Sequence, residues 1–329
     1  MRPLAWALLN ELSHERFVSG AKLAERFGVS RSAVSDALHD ATEAGVEIFS
    51  LTRKGYQLAE PLDLLDADRI RAALGPAAER LQVEVRHEID STNSELMRLA
   101  EAGAASGTCV AAELQGAGRG RRGRTWQSGF ATSLTFSFLW RSDLGAAALG
   151  GLSLSVGLAV ARTLHQLGVA GAMVKWPNDI VVGGDKLGGI LIESRGDMLG
   201  PSAAVIGIGL NVHLPARLRA GIDQPVTDVY SQCASPPGRN LLLAALLKQL
   251  QAILDEFGEL GFAAQRKEWC ACHALHGKPV TVTPSQGPAF AATVVDVGDD
   301  GALWVQAAGK KMELRSAEVS LRARKAGRV

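Results

Sequence analysis

The chain has 329 residues, 47% of them apolar, which is more than one ordinary hydrophobic core organises and predicts two or three domains. Its 35 basic residues against 34 acidic ones exclude a strong overall attraction to nucleic acid or membranes, so any charge chemistry must be local. The four cysteines, at positions 109, 233, 270 and 272, are too few and too irregularly spaced for a disulfide framework, which favours a reducing compartment.

The N-terminal residues are not expected to form a signal peptide. Glu11 and Glu15 follow a short apolar run closely, and no small-residue cleavage site comes after it. The 18 residues at 144–161 carry no charge, but four glycines and two serines dilute them, and Arg162 and His165 continue their helical pattern. We therefore expect a buried core helix there, no membrane partner and a cytoplasmic protein.

Residues 19–38 have the pattern of a helix, a glycine turn and a second helix. Gly28 is expected to end the first helix and Ser30 to cap the second. Two short alternating strands around 52–55 follow, and they predict a wing. The segment 1–62 is therefore predicted to be a winged helix-turn-helix, with these candidate DNA-binding residues: Ser30, Arg31, Ser32, Arg53 and Lys54.

The charge of this segment argues less strongly for DNA. Residues 1–60 contain seven Lys or Arg and eight Asp or Glu, and the presumed recognition helix carries Asp36, Asp40 and Glu43 against Arg31. Phosphate contacts supply most non-specific affinity for DNA, so a nearly neutral module is expected to bind weakly. The alternative to DNA binding is a module that serves only in dimerisation, or one that is left over from an ancestral DNA-binding domain.

A connector helix is predicted within 63–82, ending at Gly75-Pro76. Strands are predicted at 83–87, 108–114, 133–139, 172–176, 180–182, 186–193 and 203–212, and helices at 94–102, 149–167 and 239–260, the last with Asn240 as a possible cap. Strands and helices of unequal length predict an α+β multidomain fold whose centre is a mixed β-sheet with packed helices.

The stretch 116–126 connects two of the central strands and is rich in glycine and arginine. Eight of the nine residues at 116–124 are one or the other, a composition unsuited to a packed helix or strand. Glycine lets the backbone approach a ligand, and arginine carries a permanent forked charge suited to phosphates and carboxylates. This segment, called the Gly-Arg loop below, is predicted to bind an anion.

Four polar clusters interrupt the apolar pattern of the central domain. They are Ser91-Thr92-Asn93, Lys175-Trp176-Pro177-Asn178-Asp179, Lys186 with Gly188 and Gly189, and Gly207 to Asn211. Each one has an ordinary structural alternative when taken alone. These alternatives are a helix N-cap, a salt-bridged turn, a solvated lysine and a glycine bulge, respectively.

Beyond residue 277 the chain alternates as strands do, with a hairpin turn at Asp300-Gly301, and a small β-barrel is predicted for 274–323, followed by a tail at 324–329. Cys270, Cys272, His273 and His276 are close together in the sequence. Ligands so close seldom complete a tetrahedron, so buried or unreactive thiols are expected and no protein metal site.

In their order along the chain, the four clusters and the Gly-Arg loop with Gln115 resemble the motifs of biotin protein ligases. With the winged helix, the chain over roughly 5–322 is similar to the bifunctional bacterial form, which is both ligase and biotin operon repressor. The resemblance implies a catalytic biotin/lipoate ligase-like domain at 83–273. It also implies two steps: biotin and ATP give biotinyl-5'-AMP, and a lysine of a biotin carboxyl carrier domain then takes the biotinyl group.

The resemblance also implies roles for individual residues. Catalysis falls to Arg121, Lys186 and Asp179; biotin binding to Ser91, Thr92, Asn93, Gln115, Arg119, Arg121, Lys186, Gly189 and Gly207; and ATP or adenylate binding to Arg119, Arg121, Arg122, Trp126, Lys175, Asn178, Lys186 and Asn211. Mg²⁺ is expected to arrive with the ATP phosphates. Asn178 and Asp179 are candidates either for these phosphates or for steering the incoming amine.

The same resemblance implies a homodimer promoted by biotinyl-5'-AMP as co-repressor, and operator DNA as a partner. One departure concerns the adenine side, where repressor-type members bring a tryptophan that 213–230 lacks. A ligase whose winged helix does not repress, a lipoate or octanoate ligase, and a regulator without catalysis are the alternatives. The Gly-Arg loop argues against the lipoate class.

Overall fold

The computed structural model describes residues 1–197, 199–285, 287–315 and 319–323. The predicted tail at 324–329 lies outside them. The described residues form an N-terminal helical unit with a two-stranded wing, a central seven-stranded sheet with helices, and a C-terminal five-stranded sheet. The α+β class predicted from the sequence is confirmed, whereas the domain limits stay predictions.

The N-terminal unit is a winged helix-turn-helix, as predicted. Its elements are α1 (Pro3–Leu9), α2 (Gly20–Phe27), α3 (Arg31–Glu43), β1 (Ile48–Leu51) and β2 (Gly55–Leu58). Gly28 ends α2 in the left-handed region at φ 65°, and the Ser30 hydroxyl accepts the Ala33 N–H at 3.1 Å to cap α3. These two local signals set the angle at which α3 leaves α2.

The connector contains α4 (Ala67–Leu74) and a 3₁₀ turn (Gly75–Glu79). Asp66 caps α4 by accepting the N–H groups of Asp68 and Arg69. The predicted cap role of Asn240 is wrong, because Gly238 is the N-cap of the long helix α9 (Arg239–Leu260). Asn240 instead accepts the Asp66 N–H at 2.8 Å and donates to Leu64 O at 2.9 Å, so it fastens the connector to α9.

All seven predicted central strands are present. They are β3 (Gln82–Ile89), β4 (Thr108–Gln115), β5 (Ser133–Ser142), β6 (Ala172–Lys175), β7 (Asp179–Val182), β8 (Asp185–Gly196) and β9 (Ser202–Asn211), in the spatial order β3-β4-β5-β9-β8-β7-β6. Only the β3/β4 pair is parallel, and α5 (Thr92–Glu101) crosses between them. The others are antiparallel, which makes the sheet mixed.

Helices cover both faces of the central sheet. The predicted core helix is α6 (Leu152–Gln166), which packs with α9 on one face, and α5 covers Val110, Leu139 and Val205 on the other. The short helices α7 (Ala216–Ala220), α8 (Val229–Gln232) and α10 (Arg266–Cys272) complete the unit. Within the described residues no helix is long and apolar enough to cross a membrane.

The C-terminal strands are β10 (Pro279–Pro284), β11 (Phe290–Val297), β12 (Leu303–Ala307), β13 (Lys310–Leu314) and β14 (Val319–Ala323), in the order β13-β12-β11-β10-β14. The predicted turn is present, since Gly301 has φ 80° and its N–H donates to Gly298 O at 2.9 Å. Because β13 and β14 are the two edges among the described residues, these strands form a sheet, and the predicted closed barrel is not confirmed.

Candidate functional site

The Gly-Arg loop is a tight hairpin between β4 and β5. Trp126 N–H donates to Gly118 O at 2.9 Å, and Gly120 N–H donates to Arg124 O at 2.7 Å. A Cβ on Gly118 would lie 2.7 Å from Trp126 O, so only glycine fits there. Arg122 occupies the left-handed region at φ 58°. The glycines therefore allow the two sides of the loop to close against each other.

The arginines of the loop are turned toward the neighbouring strands. Arg119 donates from both terminal nitrogens to the carboxylate of Glu193 on β8, at 3.0 and 2.8 Å. Arg121 donates to Asn178 Oδ1 at 3.3 Å. Burial, followed by the charge of Arg122, lowers the pKa of Arg121 from its ordinary value, although the guanidinium stays charged at neutral pH. Arg121 thus places a partly desolvated cation beside the turn between β6 and β7.

Three predicted biotin-binding residues form one hydrogen-bonded cluster at the start of α5. The Thr92 N–H donates to Gln115 Oε1 at 2.8 Å, and its hydroxyl lies 3.2 Å from the same oxygen. The Ser137 hydroxyl lies 2.8 Å from Thr92 Oγ1 and 2.6 Å from Asn93 Oδ1. Ser91 is also buried there, but its side chain does not cap α5. Ser91 is thus the N-cap residue of α5 by position, without a capping hydrogen bond from its side chain.

The predicted catalytic residues Lys186 and Asp179 form an ion pair. Lys186 Nζ lies 2.7 Å from Asp179 Oδ1, and both side chains are only 19–23% exposed. Asn178 bridges to β8 through its Nδ2, which donates to Ile190 O at 2.8 Å, and Ile190 N–H donates back to Asn178 O. Lys175 ends β6 opposite Asp179 in the strand register. The turn is thus held against the strand that carries Lys186.

Trp176 anchors this turn through two hydrogen bonds. Its backbone N–H donates to His273 Nε2 at 3.3 Å, and its indole N–H donates to Gly301 O of the C-terminal sheet at 3.0 Å. Burial lowers the pKa of His273 to about 3, so the ring is neutral and Nε2 is free to accept. No group of His, Cys, Asp and Glu within the described residues is arranged to hold a metal ion.

Glycines shape the floor of the site. A Cβ on Gly207 would lie 2.2 Å from Asn93 Oδ1, and one on Gly209 would lie 2.5 Å from the Trp126 ring. A Cβ on Gly189 would approach Lys186 Nζ at 3.3 Å. Gly207 was predicted to leave space for the apolar body of biotin. In the structure, the side chain nearest to Gly207 is that of Asn93.

Residues 225–227, within the stretch 213–230, pair with the strand that carries Lys186. Lys186 N–H donates to Pro225 O, and Thr227 N–H donates to Lys186 O, both at 3.0 Å. Asn211 Nδ2 donates to Thr227 O at 3.0 Å and to Lys186 O at 3.4 Å. The Asn211 amide therefore holds this segment in place. Arg219 binds the same segment through Val226 O.

Comparison with known proteins adds to this geometry. A family model described as the Biotin/lipoate A/B protein ligase family matches residues 86–211, and an HTH domain model matches 7–57. The bifunctional ligase/repressor BirA of Salmonella typhimurium is 35% identical over 96% of both chains, and that of Escherichia coli is 34% identical over the same shares. This chain belongs to the biotin protein ligase family.

A solved structure agrees with this assignment. The biotin protein ligase from Aquifex aeolicus, in complex with biotin and ATP, superposes with a TM-score of 0.62 at 27% identity, covering 74% of this chain and 99% of that one. The relatives named as bifunctional cover the N-terminal unit of this ligase-family chain as well. The family resemblance expected from the motifs is confirmed.

In this member of the ligase family the winged helix leaves its candidate DNA contacts exposed: Ser30, Arg31, Ser32, Arg53 and Lys54. Ser30 also caps α3, and Arg53 has φ 66° at the wing turn. Asp40 is paired with Arg2 at 2.8 Å, which offsets one of the acidic charges of α3.

Two site residues were missed from the sequence, Ser137 and Glu193. Ser137 continues an alternation of polar residues, Ser133 and Thr135, along the buried strand β5, and Glu193 begins the polar end of β8. The alternation on β5 was a usable signal, because a polar side chain on a buried strand requires a hydrogen-bonding partner. Glu193 gave no such signal, since it is 30% exposed and lies among other polar residues.

Proposed function

We propose that this chain activates biotin with ATP to biotinyl-5'-AMP and transfers the biotinyl group to a lysine of a biotin carboxyl carrier domain. The observation that carries the proposal is that two cations, Lys186 and Arg121, are held at the same turn. Lys186 pairs with Asp179, and Arg121 donates to the neighbouring Asn178. Relatives that align over 96% of the chain are named bifunctional ligase/repressors.

The first step brings two anions together. A biotin carboxylate oxygen attacks the α-phosphorus of ATP, and the bond to pyrophosphate breaks. Charge repulsion opposes this approach, so fixed cations at the reacting oxygens lower the barrier without an enzyme nucleophile. Lys186 Nζ is oriented by Asp179 and Arg121 by Asn178, which gives both cations a preset direction. Mg²⁺ arrives with the ATP phosphates and needs few protein oxygens.

The second step must proceed without water. The carrier lysine nitrogen attacks the acyl carbon of the mixed anhydride, and the bond to AMP breaks as the amine loses a proton. Thr92, Asn93 and Gln115 supply hydrogen bonds for the polar ring of biotin, and Trp126 covers the Gly209 floor. The Gly-Arg loop retains the adenylate until the carrier arrives.

Biotin-dependent exchange of pyrophosphate into ATP tests the first step. We expect exchange with biotin and none with lipoate, whose ligases share the family model. Lys186→Gln removes a cation from the reacting oxygens and is expected to slow exchange by about 100-fold or more. Lys22→Gln, on the exposed surface of α2, is the matched control. Exchange with lipoate instead of biotin would overturn the proposal.

Arg121→Gly tests retention in the second step. Loss of this side chain is expected to release adenylate into solution, so that lysines of bystander proteins become labelled. If labelling stayed confined to the carrier lysine, the role given to Arg121 would be wrong.

The proposed second role is repression of biotin synthesis genes by a cytoplasmic homodimer that biotinyl-5'-AMP promotes. The HTH match at 7–57 and the names of the relatives support operator binding. Beyond Ile190, β8 has no outer strand partner within the described residues, since β7 pairs only with its first part. Such an edge can pair with a second copy. A gel shift on the biotin synthesis promoter with biotin and ATP tests this role; no shift at low salt would leave the ligase alone.

A further inference from the structure

Glu193 joins the two halves of the candidate site through one carboxylate. On one side it accepts the bidentate fork of Arg119 from the Gly-Arg loop, at 3.0 and 2.8 Å. On the other it accepts Asn93 Nδ2 at 2.8 Å. Glu193 and Arg119 are 74 positions apart in the chain. The Glu193 side chain thus connects the start of α5 with the part of the Gly-Arg loop that carries Arg119.

The cluster behind Asn93 is tightly restrained. Asn93 Oδ1 lies 2.6 Å from the Ser137 hydroxyl, and Gly207 leaves no room for a Cβ beside this amide. Asn93 Nδ2 also lies 3.3 Å from Leu191 O. Because Asn93 cannot turn freely, its bond gives the Glu193 carboxylate one preferred orientation.

The ion pair has little value as a stabilising contact. The Arg119 side chain is 43% exposed and that of Glu193 is 30% exposed, and pairs in such surroundings contribute little to stability. A bidentate pair nevertheless fixes direction, because two parallel N–H···O bonds define the plane of the guanidinium. The consequence of this pair is therefore the orientation of the part of the loop that carries Arg119.

We propose that Glu193 is a positioning residue that holds the part of the Gly-Arg loop carrying Arg119 over the biotinyl group of the adenylate, whose polar ring binds beside Asn93. The inference rests on the proposed function, since the loop retains an adenylate only if one is formed. Glu193 acts on retention of this intermediate and makes no contribution of its own to the attack on phosphorus.

Glu193→Gln tests this role because it keeps the shape of the side chain and removes its charge. We expect biotinyl-5'-AMP to leave the folded variant about 10-fold faster than the wild type, as loss of a charged hydrogen bond implies, while pyrophosphate exchange at saturating biotin changes much less. Glu101→Gln is the matched control, since Glu101 pairs with Arg195 near the far end of β8. Adenylate retention in this control should equal that of the wild type.

A double-mutant cycle separates positioning from a general structural effect. If Glu193 acts through Arg119, then Glu193→Gln adds no further release in an Arg119→Gln background. Additive effects, or wild-type retention in Glu193→Gln, would overturn the inference. Glu193→Asp, which keeps the charge and retracts it, provides the same measurement if the glutamine variant does not fold. A wild-type chain that forms no biotinyl-5'-AMP would refute the proposed function instead.

Discussion

Gly209→Ala is expected to impair adenylation by displacing Trp126. The new Cβ would lie 2.5, 2.7 and 3.0 Å from the Cε2, Cζ2 and Cδ2 atoms of the indole. Carbon atoms in ordinary contact are about 3.5–4.0 Å apart, so the ring must move by about 1 Å. Gly209 lies in β9 between Thr135 and Gly189, and these flanking strands keep its backbone from yielding.

The displacement reaches the reacting groups by two routes. Trp126 closes the Gly-Arg hairpin through its bond to Gly118 O, and Lys186 Nζ lies 6.0 Å from the centre of its ring. A misplacement of about 1 Å near reacting groups can cost about 100-fold in rate. We expect a loss of that order in kcat/KM for biotin-dependent pyrophosphate exchange. Crowding should also lower the free energy of unfolding by about 1–3 kcal/mol.

Gly258→Ala is the matched control for this substitution. Its Cβ would lie 3.6 Å from the nearest atom, Trp140 Cζ2, in ordinary contact, and alanine favours the helix α9 by about 0.5–1 kcal/mol. The control should keep full exchange activity and gain slightly in stability. If Gly209→Ala remained folded and kept kcat/KM within about threefold of the wild type, the coupling of Trp126 to adenylation would be refuted.

Two further predictions concern buried groups. Glu113→Gln breaks a fully buried ion pair with Arg239, 2.8 Å long, and should lower the free energy of unfolding in urea by about 3–5 kcal/mol. The half-exposed pair of Glu84 with Arg86 is the comparison, and Glu84→Gln should cost less than about 1 kcal/mol; similar losses in both variants would contradict the argument. Burial lowers the pKa of His273 from 6.5 to about 3, so the folded state favours the neutral ring. The neutral His273 ring therefore makes its full contribution to the free energy of unfolding above about pH 6.5. Between pH 6.5 and pH 3 this contribution falls by up to about 1.4 kcal/mol per pH unit. In urea titrations, His273→Asn should therefore flatten the decline between about pH 6.5 and 5, and an unchanged slope would count against this role.

Much of the fold could be predicted because its signals are local. Gly28 and Ser30 mark a helix end and a helix start through contacts within a few residues, and both predictions hold. The seven central strands were recognised from short apolar runs between turns. The Gly-Arg loop was recognised from composition, because so many glycines and arginines do not suit a packed helix or strand. These features depend on backbone preferences that each segment carries by itself.

Pairings between distant segments were decided by the tertiary structure. The amide of Asn240 binds the connector, where the helical pattern had suggested a cap. Glu113 is 126 positions from Arg239, and Glu193 is 74 positions from Arg119; neither pair was predicted. Which side chains meet depends on strand order and register, and on the helices packed against the sheet. These are set by the burial of the whole apolar surface, so they cannot be derived from any one segment.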